Sequence, residues 1–195
     1  MQSYSSTDIL LDLKQKGISL FTLTDFSRLF SLTNKNSLSK KVQSLEQKRL
    51  IRRLINGKYA LSISEVSDFK IAQFILSPSY ISLESALSFY GIITGFPYAI
   101  TSVTTKATKT YVIDKKEFSF SHFTPALLWG YEKREDFLIA TKEKAILDYC
   151  YLSLKGIKAP LDFEELDTSG LDKKLLVDYS HRFGDKRLLK IIEKL

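Results

Sequence analysis

Cysteine and histidine are nearly absent from this 195-residue chain. The single cysteine, Cys150, excludes an intramolecular disulfide, and its place in the apolar run AILDYCYL predicts a buried side chain in a reducing compartment. The two histidines, His122 and His181, lie far apart and at no metal-ligand spacing from Cys150. We therefore expect no metal site. His122 alternates with Phe118 and Phe120, so we expect it to be partly buried.

Long apolar runs and glycine-rich loops are missing as well. The chain has no run of ~18 apolar residues that would span a bilayer. Its first residues also lack a basic segment followed by an apolar one, so a cytoplasmic protein is expected. The eight glycines form neither the GxGxxG nor the GxxxxGKS/T phosphate-binding pattern. The acidic segment DFEELD is more typical of a solvated helix face than of catalytic carboxylates. We expect no catalytic residues, no cofactor and no membrane partner.

Positive charge is concentrated in the first third of the chain. The formal net charge is +7; residues 1–65 carry 11 Lys and Arg against 5 Asp and Glu, whereas residues 66–195 carry 18 against 17. Such asymmetry favours a nucleic-acid or membrane partner for the basic part, although a solvated, lysine-rich face would look the same. The length fits two small domains, which we place at residues 1–65 and 66–195.

Three helices are predicted in the first domain. Apolar residues recur at helical spacing in 7–16, and Thr24 is expected to cap a short second helix with Asp25 in its first turn. A third helix, 37–48, buries a stripe of three apolar side chains, while Glu46 falls near the edge of the core. The stripe is Leu38, Val42 and Leu45. The opposite face offers amide, hydroxyl and ammonium groups, which read base edges and hold phosphates. The candidate DNA contacts on this helix are Ser37, Lys40, Lys41, Gln43, Ser44, Gln47 and Lys48.

A β-hairpin follows in LIRRLINGKYAL, residues 50–61. Asn56-Gly57 predicts a two-residue type I′ turn, because both residues tolerate positive φ. Residue 54 then pairs with 59 and residue 52 with 61. The side chains predicted to face the core are Leu50, Leu54, Tyr59, Leu61 and Ile63.

The charged residues of this hairpin complete the DNA-binding candidates. Arg53 and Lys58 are expected to point outward, towards a phosphate backbone. Arg52 has inward parity and either reaches a phosphate or pairs with a carboxylate such as Glu46. Two apolar residues, Ile51 and Ile55, share the outward face; DNA binding does not account for them, and packing on the second domain is the alternative. Three helices followed by such a ribbon is the order of a winged helix-turn-helix, so we predict that this domain binds double-stranded DNA.

The second domain is predicted to be α+β. A short helix ends at Ser77-Pro78, and another begins at Ser82. The segments ITSVTT, KTYVID and EFSFSHF are predicted to form a small antiparallel sheet. An apolar helix is expected from Thr141 to Gly156, followed by a helical tail. The fold class predicted for the whole chain is α+β: an N-terminal winged helix-turn-helix, then a mixed α+β domain.

Several segments together resemble the AbiEi family of antitoxins, which belong to bacterial abortive-infection toxin-antitoxin pairs. They are NGKYAL, PSYISLESALSFYG, VTTK, a WGYE-like turn and IATKEKAILDYCY, and they extend over most of the chain. The most specific are residues 80–91 and 140–148. Within these, Ser82 and Thr141 also suit helix caps, and the tyrosines suit the edge of a core. The motif residues are Tyr80, Ser82, Ser85, Tyr90, Thr141, Glu143 and Lys144.

The resemblance implies a winged helix that binds inverted repeats in the promoter of its own operon and represses it. It also implies a C-terminal domain that opposes a nucleotidyltransferase-like toxin acting on RNA, functionally if not by physical contact. Two alternatives stay open: a protein-interaction module that neutralises a toxin by direct contact, and a solitary regulator without antitoxin activity. The nearly neutral charge of the second domain departs from the basic surface expected of a domain that engages nucleic acid, so antitoxin activity stays open.

Overall fold

The computed structural model describes residues 4–193 and divides the chain into two compact units, one ending at Ser67 and the other beginning at Asp68. The outer ends of the predicted domains, residues 1–3 and 194–195, lie outside the described residues. Both units mix helices and strands, so the chain is α+β. Among the described helices, none is long and apolar enough to cross a membrane.

The first unit contains three helices and one antiparallel sheet. Its elements in chain order are α1 (Ser6–Gln15), β1 (Leu20–Thr22), α2 (Leu23–Leu29), α3 (Lys35–Gln47), β2 (Ile51–Ile55) and β3 (Lys58–Leu61). The strands lie in the order β1-β3-β2. The predicted stripe of α3 is confirmed, because Leu38, Val42 and Leu45 are buried in one cluster with Phe21 and Phe26.

Side-chain caps fix where these helices begin. Thr22 has extended backbone and accepts a hydrogen bond from the backbone N–H of Asp25 at 3.1 Å, while Asp25 accepts one from the N–H of Thr22 at 3.0 Å. This reciprocal capping box shows that the predicted cap, Thr24, is wrong, since Thr24 already lies inside α2. Asn34 caps α3, which therefore begins two residues before the predicted start.

The hairpin register differs by one residue from the prediction. Leu61 pairs with Ile51, not with residue 52, because a β-bulge between Arg53 and Ile55 inserts an extra residue into β2. Gly57 has a φ of 74°, whereas Asn56 is not among the residues with positive φ, so the predicted type I′ turn does not form.

The register change moves the residues of β2 before the bulge to the other face, whereas Leu54 is buried as predicted. Ile51, predicted to point outward, is buried in the core of the first unit, and Ile63, predicted to point inward, is 58% exposed. Since alternate residues of a strand share a face, Arg53 lies on the side of Ile51, facing the helices. The predicted parity of Arg53 is therefore wrong, but its side chain is exposed, as predicted.

Over its described residues, 68–193, the second unit holds a six-stranded sheet and five α-helices. Its elements are α4 (Asp68–Ile75), β4 (Ser79–Ile81), α5 (Leu83–Phe89), β5 (Ala99–Thr104), β6 (Lys109–Ile113), β7 (Lys116–His122), β8 (Tyr131–Arg134), β9 (Phe137–Ala140), α6 (Lys142–Leu154), α7 (Lys173–Arg182) and α8 (Lys186–Ile192). The segment DFEELD contains only a 3₁₀ turn, Phe163–Glu165, and not an α-helix.

The sheet is larger than predicted and is mixed. The strand order is β6-β7-β5-β4-β9-β8, and the β5–β7 and β4–β9 pairs are parallel, so the expected small antiparallel sheet is wrong. The three-residue strand β4 lies inside the sheet, between β5 and β9, and all its residues are buried. Helix α6 contacts α5, α7, α8 and β9, and this arrangement brings the two motif segments together.

Candidate functional sites

The exposed face of α3 is the first candidate site. Lys40, Gln43 and Gln47 are exposed, and Ser37 and Ser44 are half-buried. The side chains available on this face are therefore donors and acceptors without a negative charge. Such groups suit both base edges and phosphates.

Two other predicted contacts on α3 point towards the start of the chain. Lys41 donates a hydrogen bond from Nζ to the carbonyl oxygen of Tyr4, and Lys48 donates one from Nζ to Ser6 Oγ at 3.0 Å. These lysines therefore lie on the flank of α3 that borders α1. Both lysines therefore already donate hydrogen bonds within the first unit.

The hairpin brings a second group of charges to α3. Arg53 Nε lies 3.6 Å from Glu46 Oε1, and Arg53 Nη2 donates to Tyr59 Oη at 3.3 Å. Glu46, a candidate partner of Arg52 from the sequence, thus pairs with Arg53. Arg52 is half-buried and opposite Ala60. Lys58 is also half-buried, and this burial lowers its pKa.

A buried polar cluster in the second unit is the other candidate site. Tyr80 and Ser82 come from β4 and the residue after it, and Lys144 and Asp148 come from successive turns of α6. Tyr80 Oη donates to Asp148 Oδ2 at 2.9 Å, and Ser82 Oγ donates to the same oxygen at 2.8 Å. Lys144 Nζ donates to Tyr80 Oη at 2.8 Å and forms an ion pair with Asp148 Oδ1.

Aromatic rings surround the ammonium group of this buried cluster. Lys144 Nζ lies 4.8 Å from the ring centre of Trp129, 4.9 Å from that of Phe183 and 5.4 Å from those of Phe123 and Tyr80. Ring faces attract cations, and the attraction is stronger where water is excluded. The ammonium group therefore connects β4 and α6 with the segment around Trp129 and with the end of α7.

Burial dominates the electrostatics of the cluster. The side chains of Lys144 and Asp148 have no exposed surface. Desolvation lowers the pKa of Lys144 and raises that of Asp148, and the attraction between the two opposes both shifts. Burial and the neighbouring Asp148 carboxylate also raise the pKa of Tyr80 well above its usual value. A substrate or partner cannot reach these atoms in this fold, so the cluster is suited to holding the unit together.

Backbone strain accompanies the cluster where β4 leads into α5. Leu83 has a φ of 57°, and it is the buried one among the six described non-glycine residues with positive φ. Ser82 occupies the N-cap position, but its hydroxyl makes no cap hydrogen bond. Ser82 is therefore the N-cap residue, as its sequence context indicated, but its hydroxyl bonds to Asp148 instead of to the helix backbone.

The remaining motif residues connect neighbouring elements. Ser85 Oγ accepts from the N–H of Thr101 at 2.8 Å, which joins α5 to β5. Tyr90 Oη lies 2.9 Å from the carbonyl oxygen of Ala140, and burial raises the pKa of Tyr90 to about 12. Thr141 caps α6, as its sequence context indicated. Glu143 Oε1 accepts from the N–H of Asp172 at 3.1 Å, which holds the start of α7.

Sequence reasoning missed the acceptor at the centre of the buried cluster. Asp148 lies in the motif of residues 140–148 but is not among the predicted site residues, and neither are Trp129 and Phe123. One signal was present: Lys144 and Asp148 are four residues apart in a helix that is otherwise largely apolar. Two opposite charges at that spacing in an apolar helix indicate a buried pair.

The other chemically reactive residues of the second unit form no site. Cys150 is buried as predicted, and this burial raises its pKa to about 12. His122 is exposed at the end of β7, so its predicted partial burial is wrong, although its Nδ1 lies 3.0 Å from the carbonyl oxygen of Lys106. Within residues 4–193, no three His, Cys, Asp or Glu side chains are grouped as metal ligands would be.

Two comparisons with known proteins found no relative of this chain. A scan against protein-family models gives no match, and a search of curated proteins gives none either. The resemblance to the AbiEi antitoxins therefore depends on the motif residues themselves, and the structure shows which of these residues contact one another.

Proposed function

We propose that the protein is a DNA-binding repressor of its own operon and the antitoxin of a bacterial toxin-antitoxin pair in the cytoplasm. The first unit is the DNA-binding part, a winged helix-turn-helix in which α3 enters the major groove and the β2–β3 hairpin is the wing. The order of three helices and a hairpin, and the excess of basic residues in 1–65, support this proposal.

One observation carries the DNA-binding part of the proposal. Helix α3 presents Lys40, Gln43 and Gln47 to solvent, and its single carboxylate, Glu46, is half-buried and paired with Arg53. A helix face that combines amide and ammonium groups without an exposed carboxylate suits the negative potential of a DNA groove.

Titration of duplexes from the region upstream of the gene, at several salt concentrations, tests DNA binding. Each phosphate contact contributes roughly 0.9 to the slope of log K against log salt, so Lys40→Ala is expected to weaken binding and to lower that slope by about one. Lys133→Ala removes an exposed lysine of the second unit and serves as the control. Wild-type binding that ignores both sequence and salt would contradict the proposal.

The antitoxin part rests on the resemblance of the C-terminal motifs. It predicts that the chain rescues growth when the neighbouring toxin is expressed, and that Lys40→Ala, which impairs only DNA contact, still rescues when expressed from an independent promoter. Failure of the wild-type chain to rescue would leave a solitary regulator.

A second candidate, neutralisation by direct contact, is favoured by one loop. Phe96 is 97% exposed and Tyr98 is 77% exposed, and large apolar side chains so open to water often mark protein contacts. This candidate predicts co-purification of the toxin at high salt, lost in Phe96→Ala with Tyr98→Ala. Val112→Ala is the matched control, because Val112 is also exposed, at 70%, but lies on β6. Rescue without co-purification would exclude it.

A further inference from the structure

A groove between α3 and the β2–β3 hairpin brings five polar side chains together. Its apolar lining includes Leu23, Val42 and the ring of Tyr59. Its polar side chains come from both elements and are Ser39, Gln43, Glu46, Arg53 and Asn56. In this groove, the charged side chain of Arg53 from β2 lies beside polar side chains of α3.

Contacts on two sides orient the guanidinium group of Arg53 in this groove. Glu46 Oε1 lies 3.6 Å from Nε, Tyr59 Oη accepts from Nη2 at 3.3 Å, and the Tyr59 ring centre lies 5.7 Å from Cζ. Tyr59 is itself fixed, because it is 2% exposed and stacks on Phe21 with 5.8 Å between ring centres. Arg53 is thus held against a rigid support.

The Arg53 side chain has N–H donors that remain available to a ligand. It is 53% exposed, and a guanidinium carries five N–H donors, of which the Tyr59 and Glu46 contacts occupy about two. A guanine presents two acceptors, O6 and N7, in the major groove, and a guanidinium matches them with two parallel hydrogen bonds. A phosphate would also attract Arg53, but the Glu46 carboxylate beside it repels the full negative charge of a phosphate more strongly than the neutral acceptor edge of a guanine.

We propose that the Glu46–Arg53 pair is a specificity element: Glu46 orients Arg53 to read a guanine and disfavours its use on the phosphate backbone of unrelated DNA. This inference rests on the proposed DNA-binding function and assigns a role to two residues within it. Arg53 is then a base-reading residue, and Glu46 is a positioning residue that acts through Arg53.

A purely structural role predicts different behaviour. Both side chains are partly exposed, at 53% and 28%, and exposed ion pairs contribute little to stability. Removing the pair should therefore leave the melting temperature of the protein unchanged within about 2 °C. Its effect should instead be found in the ratio of affinities for two DNA sequences.

The experiment compares full-length variants by fluorescence anisotropy. The probes are a duplex containing the bound sequence from upstream of the gene and a shuffled duplex of equal length and composition, each at several salt concentrations. Glu46→Gln should tighten binding to the shuffled duplex and lower the affinity ratio about tenfold. Arg53→Lys should lower the ratio similarly while leaving the salt slope unchanged, because lysine keeps the charge and loses the fork. Glu65→Gln, which neutralises an exposed carboxylate of the same unit, is the control.

The outcomes separate the inference from the function on which it rests. If the wild-type protein prefers its own sequence but Glu46→Gln and Arg53→Lys keep the same ratio, the inference is overturned and the proposed function stands. An equal fall in Glu65→Gln, or a melting temperature that falls together with the ratio, also overturns it. If the wild-type protein binds both duplexes equally, the proposed function fails as well.

Discussion

Replacing Lys144 by methionine is expected to destabilise the second unit strongly. Methionine has a similar length but leaves the Asp148 carboxylate without its cation, where neither side chain has any exposed surface. Breaking a buried ion pair by removing one partner costs about 3–5 kcal/mol. The loss of the aromatic contacts around the ammonium group places the expected value in the upper part of that range.

Urea unfolding measures this cost. The protein has a single tryptophan, Trp129, whose ring centre lies 4.8 Å from Lys144 Nζ, so its fluorescence reports on this unit. Circular dichroism provides a second probe. Lys70→Met is the control within the same unit, since its ion pair with Asp136 is partly exposed, at 35% and 45%, and should cost no more than about 1 kcal/mol.

A double variant tests the physical reason. In Lys144→Met with Asp148→Asn, the amide oxygen still accepts from Tyr80 and Ser82, but no uncompensated charge remains. The double variant should therefore be more stable than Lys144→Met alone. The reasoning is refuted if Asp148→Asn deepens the loss, or if Lys144→Met costs no more than Lys70→Met.

Three further predictions concern local features. Thr22→Ala should lower the free energy of unfolding by about 1 kcal/mol in a melt, while Thr24→Ala, at the wrongly predicted cap, should change it by less than about 0.5 kcal/mol; equal losses would contradict the capping geometry. Arg49 has a φ of 56°, so Arg49→Gly should raise the free energy of unfolding by about 0.5 kcal/mol. In contrast, Gln47→Gly inside α3 should lower it by about 1 kcal/mol. Cys150, whose pKa is raised to about 12, should resist thiol reagents at pH 8 unless urea is added. The folded state keeps the thiol proton of Cys150 to a higher pH than the unfolded state does, so the contribution of Cys150 to the free energy of unfolding falls as the pH rises from 9.0 towards 12. Rapid labelling of the folded protein at pH 8 would contradict this burial.

Sequence reasoning worked best where a pattern is local. The apolar stripe of α3 was correct, because helical spacing alone decides which side chains are buried. Thr141 and Cys150 were also read correctly from their immediate neighbours. The predicted hairpin register was wrong by one residue before the bulge, because alternation does not reveal the inserted residue. Leu54, Tyr59 and Leu61 are buried as predicted.

The long-range features lay beyond sequence reasoning. Strand β4 has three residues, too few to show a period, and its parallel partner β9 lies more than fifty residues away. The contact of Tyr80 with Asp148 depends on that pairing and on the docking of α6. Two motif segments could therefore be recognised as important, but their meeting at one buried carboxylate required the fold.

The buried cluster affects how mutational scans of this protein should be interpreted. If the proposed function holds, a screen for loss of toxin protection would recover substitutions at Tyr80, Ser82, Lys144 and Asp148, because each leaves a polar partner unsatisfied out of reach of water. Such variants would lower the cellular abundance of the protein through proteolysis of the unfolded chain. Residues with the proposed toxin or DNA contacts would be those whose substitution abolishes protection or repression at unchanged abundance, so abundance must be measured for each variant in the same cells.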